Sequence, residues 1–227
     1  MPTINSFIRF LYASSGAPAV DIYTDGNLVL QNLAYNEISE YLPVGSGDMS
    51  IQVFTAGEDS NPLIDTKLEL PPDERITVAV TGILPDVSLL PLLLNLQPTE
   101  SEDGLIRLVH LSPTASHLNL SIEDGPDLFN DAEYTQATDF KTIVPGAYNL
   151  QLRSAGEDGI LLTEPLEVMK RKAYTVYALG LPEAEPPLKI SYYQDQIPFI
   201  ADKIKETEFR KKTVAGNNLQ INFIYSR

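Results

Sequence analysis

Gly47-Asp48-Met49-Ser50-Ile51-Gln52-Val53-Phe54-Thr55-Ala56-Gly57-Glu58 decides how this chain is read. It returns 99 residues later as Gly146-Ala147-Tyr148-Asn149-Leu150-Gln151-Leu152-Arg153-Ser154-Ala155-Gly156-Glu157. A glycine opens each copy, apolar residues alternate through it, and Ala-Gly-Glu-Asp closes it. Alternation with a period of two, bounded by turn residues, predicts a half-buried strand between two turns. Two such strands at a fixed offset predict that a whole unit is duplicated.

Working outward, the offset holds over most of the chain. Ile106-Arg107-Leu108 repeats Ile8-Arg9-Phe10, and Ser112 repeats Ser14. Gly125, Tyr134 and Gly146 repeat Gly26, Tyr35 and Gly47 after one insertion, and Thr175-Val176 and Gly180 repeat Thr77-Val78 and Gly82 after one deletion. Each unit is about 95 residues, too long for a solenoid repeat of roughly 20–50 residues. It suits a self-sufficient sandwich of about seven strands. The reading is all-β: two tandem antiparallel immunoglobulin-like or transthyretin-like β-sandwiches plus a C-terminal extension. The units are 1–96 and 105–200, the polar acidic stretch 97–104 is the linker, and 201–227 is the extension, read as a hairpin or a helix and strand.

Within the first unit, Val20–Thr24 alternates and Asp25-Gly26 signals a hairpin into Leu28–Leu30. Pro43 marks Ile38–Val44 as an edge strand. Leu89–Leu96 reads as a largely buried closing strand. The expected core is Val20, Ile22, Met49, Ile51, Val53, Ile76, Val78 and Val80 in the first unit. In the second it is Leu118, Leu120, Ile122, Tyr148, Leu150, Leu152, Tyr174 and Val176.

Composition excludes several functions. The net charge is −15 over 227 residues, and nucleic acid demands a basic face, so no nucleic-acid partner is expected. With no cysteine, disulfides, thiolate metal sites and cysteine nucleophiles are ruled out together. The N-terminus lacks the basic and apolar regions of a secretory signal. Val87–Leu96 is too short to span a bilayer and contains Pro91, so no membrane insertion is expected. The charge is uneven: residues 201–227 carry six basic and three acidic side chains, +3, against 10 − 28 = −18 for 1–200. Leu219-Gln220-Ile221-Asn222-Phe223-Ile224-Tyr225 alternates at first like a strand. The extension is therefore read either as an extra element packed on the second sandwich by apolar contacts and charge, or as a contact with a protein partner or a second copy through an open sheet edge.

Ile8–Gly26, with Arg9-Phe10-Leu11-Tyr12-Ala13-Ser14 followed by Ala17-Pro18-Ala19-Val20-Asp21-Ile22-Tyr23-Thr24-Asp25-Gly26, resembles the bacterial family called domain of unknown function 4397. Tyr41-Leu42-Pro43-Val44 and the Ile51–Gly57 strand match its second block. The second copy keeps the opening, Ile106–Pro113, and then diverges. The resemblance implies β-sandwich modules of bacterial envelope, extracellular or spore-surface proteins. It implies no activity.

The chemical candidates are few. His110 takes the place of Tyr12 on a strand, where a structural role is expected, and His117 lies at a turn; both meeting would give two imidazoles for a transition metal. Glu123, Asp124, Asp127 and Asp131 form the densest acidic loop and are the candidate Ca²⁺ ligands. Tyr23, Tyr192 and Tyr193 are the candidates for stacking on a carbohydrate. Asp21 and Tyr23 become Asn119 and Ser121 in the second copy, and Asn119-Leu120-Ser121 lies inside a strand. No catalytic or cofactor-binding residue and no cofactor is assigned. The expected function is a non-enzymatic structural or protein-interaction protein; the alternative is a module binding carbohydrate, a small molecule or Ca²⁺ through loops at one end of a sandwich.

Overall fold

A computed structural model describes residues 4–157 and 159–198. The extension 201–227 lies outside the described residues. Eight strands fall in the first half: β1 Ile4–Tyr12, β2 Val20–Thr24, β3 Asn27–Leu33, β4 Leu42–Gly45, β5 Gly47–Thr55, β6 Ile64–Leu70, β7 Arg75–Ile83 and β8 Asp86–Leu93. Eight follow after the acidic stretch: β9 Gly104–His110, β10 Leu118–Ile122, β11 Asp127–Ala132, β12 Lys141–Ile143, β13 Gly146–Ser154, β14 Ile160–Val168, β15 Lys172–Leu179 and β16 Lys189–Gln196. The fold is all-β and sandwich-like, with one more strand per half than the seven expected.

They form four four-stranded sheets, ordered β4-β1-β7-β8 and β3-β2-β5-β6, then β12-β9-β15-β16 and β11-β10-β13-β14. The opening stretch is β5 and its copy β13, central strands of equivalent sheets. Asp25 and Gly26, both at positive φ, turn β2 into β3 as the hairpin signal predicts. Pro43 does lie on an edge strand, β4. Pairing is not antiparallel throughout: β1 runs parallel to β7, and β9 to β15. No tight hairpin joins these partners; the chain crosses the opposite sheet between them, which frees their direction.

Each half has its own core. All eight residues expected inside the first are buried. In the second, Leu118, Leu120, Leu150, Leu152, Tyr174 and Val176 are buried, while Ile122 and Tyr148 pack half-buried against its margin. β8 corrects the reading of Leu89–Leu96. It is a sheet edge with Leu93 exposed, because among the described residues it pairs only with β7, its hairpin partner.

A third core lies between the halves. Leu11, Ala13, Ala79 and Leu92 of the first pack on Val109, Leu111, Tyr177 and Leu179 of the second. The sheets β4-β1-β7-β8 and β12-β9-β15-β16 thus bury their second faces on one another. Strands covered on both faces are buried at nearly every position, as in β7 and β15.

Polar pairs stitch this layer. Arg9, alternating with apolar neighbours on β1, donates Nε to Thr77 Oγ1 at 2.8 Å and Nη2 to Asp195 Oδ2 of the other half at 2.8 Å. Its copy Arg107 repeats the first bond, to Thr175 Oγ1 at 3.1 Å, and donates Nη1 to the carbonyl of Leu93 at 2.8 Å. Arg9 lies over the Tyr41 ring and Arg107 over that of Phe140. Thr81 with Tyr134, and the Tyr193 hydroxyl donating to Asn36 O, complete the set.

Candidate functional site

The acidic candidates do not converge. Glu123 and Asp124 occupy the turn between β10 and β11, where Glu123 accepts bonds from Asn149 and Gln151. Asp127 begins β11, opposite Ser121. Asp131 stands near the other end of the hairpin, beside Ala132, which pairs with Leu118. There it meets His117 Nδ1 at 2.9 Å as an exposed pair. Among the described residues no three His, Cys, Asp or Glu side chains form a group that would hold a metal ion.

The two histidines have separate tasks. His110 is fully buried; its Nε2–H donates to Ser116 O at 3.1 Å and its Nδ1 accepts from the Ser112 backbone N–H at 3.2 Å. The duplication explains this role. Tyr12, at the same position in the first copy, donates its hydroxyl to Pro18 O, also six residues on. Burial pushes His110 below its ordinary value; the Ser116 bond opposes this and nearby His117 adds to it. A depressed histidine keeps its stabilisation above the unfolded value near 6.5 and loses it as pH falls through that value toward the folded one. His110→Tyr, which copies the first unit, is expected to remove this contribution. Urea midpoints measured at pH 8 and pH 5 should fall less on acidification than in the parent; an equal fall refutes the assignment.

Asp21 is taken up by backbone donors. It is buried, its Oδ1 accepts from Asn32 N–H at 2.7 Å, and its Oδ2 accepts from Gly57 N–H at 2.9 Å. It therefore ties the turn after β5 to a kink in β3. Asn119 keeps the first of these bonds, to Asp131 N–H. Tyr23 packs edge-on against Phe54. Ser121 is buried within β10.

Tyr192 and Tyr193 lead to a pair of surface depressions. Among the described residues β16 forms the edge of its sheet and pairs only with β15. A depression of about 590 Å³ follows its first half, between Leu188–Tyr193 and Leu162–Glu164 of β14. A second, of about 520 Å³, continues over Tyr192–Gln194 between Glu167 and Met169 on one side and Ile38–Tyr41 with Arg9 on the other. Together they make a trough along the open edge of β16, ending at the junction of the halves. Tyr192 is 38% exposed there, and Met169, lining the second depression, is 43% exposed. Glu40, Glu164 and Glu167 stand along it against Lys189. At its floor the Tyr41 hydroxyl is pushed up to about 12, by burial against the pull of Arg9. The trough offers backbone groups, aromatic surface and negative charge.

The tyrosines stand out in the sequence, and the walls around them do not. Arg9, Tyr41, Glu167 and Met169 come from strands and turns remote in sequence. The doubled Tyr192-Tyr193 was the one local signal.

The family model of the domain of unknown function DUF4397 matches residues 6–121, from β1 across the acidic stretch into β10. Among curated proteins, none matches the sequence. Solved structures similar to the chain include a family 26 carbohydrate-binding module from Eubacterium rectale in complex with maltoheptaose. It is 12% identical, with 84% of this chain and 97% of that one covered and a TM-score of 0.27. A streptococcal virulence factor, solved for its alpha-glucan binding, is 10% identical over 83% and 96% of the two chains, with a TM-score of 0.26. A protein from Bacteroides ovatus described as a candidate for cell adhesion is 8% identical over 88% and 99%, with a TM-score of 0.28.

Proposed function

The chain belongs to the DUF4397 family, and on that premise we propose that it is a non-enzymatic interaction protein: two sandwiches, 1–96 and 105–200, joined through 97–104 into one block that associates through its basic extension. The observation that carries this reading is the third core. A layer shared by both halves commits two sheet faces to internal packing and leaves edges and the extension as contact surfaces. The histidines are engaged in structural bonds, which supports a non-enzymatic role. Charge supports the extension as the contact, since a block of −18 repels its copies and 201–227 carries +3. The site of action is the bacterial envelope, exterior or spore surface, which protease treatment of intact cells checks: a surface chain is digested and an internal one spared. No helix among the described residues is long and apolar enough to cross a membrane.

Deleting 201–227 is the direct experiment. Light scattering across a concentration series should show association of the full chain and a monomer for the truncated one. Unchanged assembly after truncation overturns the role of the extension. The second reading, a module for carbohydrate or another small ligand, has Tyr192 in its favour, exposed over a trough of suitable size.

A further inference from the structure

The two halves differ at their last strand. Each ends in a hairpin, β7 into β8 and β15 into β16, and both hairpins keep uninterrupted register. In the first, Val78 faces Pro91; in the second, the equivalent Val176 faces Tyr192. A proline is tolerated inside such a pair only where the missing N–H points away from the partner strand. Tyr192 in the same register therefore directs its N–H outward, to the open side. The edge of β8 is blocked by Pro91, while that of β16 holds no proline along Lys189–Gln196. Its middle, Ser191-Tyr192-Tyr193-Gln194, also lacks the charges that guard β6, with Asp65, Lys67 and Glu69. Unguarded edges are templates for an added strand.

We propose that the edge of β16 receives Leu219–Tyr225 of a second copy as an added strand. The inference rests on the reading of the extension as the contact and names where it lands. The trough runs from Leu188 to Gln194, seven residues or about 20 Å of strand, the length of Leu219–Tyr225. An added strand binds through main-chain bonds, with alternate side chains entering pockets on either face. Leu219, Ile221 and Phe223 supply one apolar set for the wall that Leu162 and Leu188 provide. Glu40, Glu164 and Glu167 complement Lys203, Lys205, Arg210, Lys211 and Lys212 upstream of the segment. Leu219 follows Pro198 by 21 positions, which at roughly 3.3 Å per residue is chain enough to reach the edge of a neighbour. The contact joins unlike surfaces, so it closes by reciprocal exchange or as a ring, or else continues head to tail.

The absence of cysteine makes disulfide mapping unambiguous. One full-length chain carries Ser191→Cys, another Asn222→Cys, and the two are mixed under mild oxidation. A crosslinked dimer is expected, at least about tenfold above a control pair with Lys67→Cys on the guarded edge β6. Equal yields, or none, overturn the proposal by pointing to a different occupant. With both cysteines in one chain, an exclusively intrachain bond overturns it too, since the segment then covers its own edge. Tyr192→Pro copies the residue that β8 tolerates in this register. It should weaken self-association at least about tenfold, with the melting temperature held near that of the parent. Ile221→Asp, outside the sandwiches, should do the same if the proline variant fails to fold. If truncation of 201–227 abolishes association while Tyr192→Pro and Ile221→Asp leave it intact, the edge assignment falls and the role of the extension stands. If the truncated chain still associates, both fall.

Discussion

Asp195→Ala is expected to destabilise the folded chain by about 3–5 kcal/mol, the cost of stripping one partner from a buried ion pair. Arg9 and Asp195 are 7% and 6% exposed, with the guanidinium and carboxylate in two contacts of 2.8 and 3.4 Å. Arg9 is bonded to this carboxylate, and Arg107 feels it only through its field: burial pushes Arg107 down, and Asp195 is among the groups that oppose this. Removing Asp195 leaves two buried guanidinium groups facing each other's field in the layer that joins the sandwiches. The size of the loss reflects an orphaned charge and does not mean that the pair stabilises by that amount. Arg9→Met with Asp195→Leu tests that distinction. The double variant should recover most of the loss, falling short by the unpaired Thr77 hydroxyl that Arg9 Nε now satisfies. Urea unfolding of the three chains decides. A single variant within about 1 kcal/mol of the parent would show that water reaches the pair.

This layer also marks the boundary of what the sequence reveals. Strand alternation in β5 and β13, the turn after each, and the Asp25-Gly26 hairpin are local, and a single sequence carries them. Burial of a second face is not local. In β7, Thr77 and Ala79 are small enough to read as a solvent-facing side, yet both are buried. β15 is more explicit: Ala173, Tyr174, Thr175, Val176, Tyr177, Ala178 and Leu179 leave no polar face at all. The two arginines were visible as a repeated charge inside an apolar strand. Their partner was not, because Asp195 lies 186 residues from Arg9. The trough was hidden for a different reason. Aligned by the repeat offset of 98, Tyr192 falls on Leu94; strand register places it on Pro91. The difference arises in the connection before β16, so only pairing shows that one copy closes its edge and the other leaves it open. The separation of Asp131 from Glu123, Asp124 and Asp127 was not legible either, since β11 carries it to the other end of the hairpin.

The other large effect is expected at Gly180, the copy of Gly82. Gly180→Ala should cost at least about 3 kcal/mol, through two separate terms. The first is conformational: φ is +85°, where an L-residue with a Cβ loses roughly 1–2 kcal/mol. The second is steric and has no easy relief. An added Cβ would lie 2.1 Å from the carbonyl oxygen of Pro187 and 2.7 Å from its carbon, both backbone. That backbone is held by the bond from Leu181 N–H to Pro186 O at 2.9 Å, and Gly180 O itself accepts the buried Ser112 hydroxyl at 2.6 Å. Relaxing the clash therefore moves the end of β15 and the approach to β16 together. Gly82 repeats the arrangement, with φ +112° and an added Cβ 2.2 Å from Asp86 O, under the bond from Ser14. Gly57→Ala separates the two terms, because Gly57 has φ +81° and open space where its Cβ would go. It should lose only the conformational part. Denaturant midpoints of Gly180→Ala and Gly57→Ala are the measurement. If Gly57→Ala and Gly180→Ala prove equally costly, close backbone approach is not what fixes glycine at the end of the repeat.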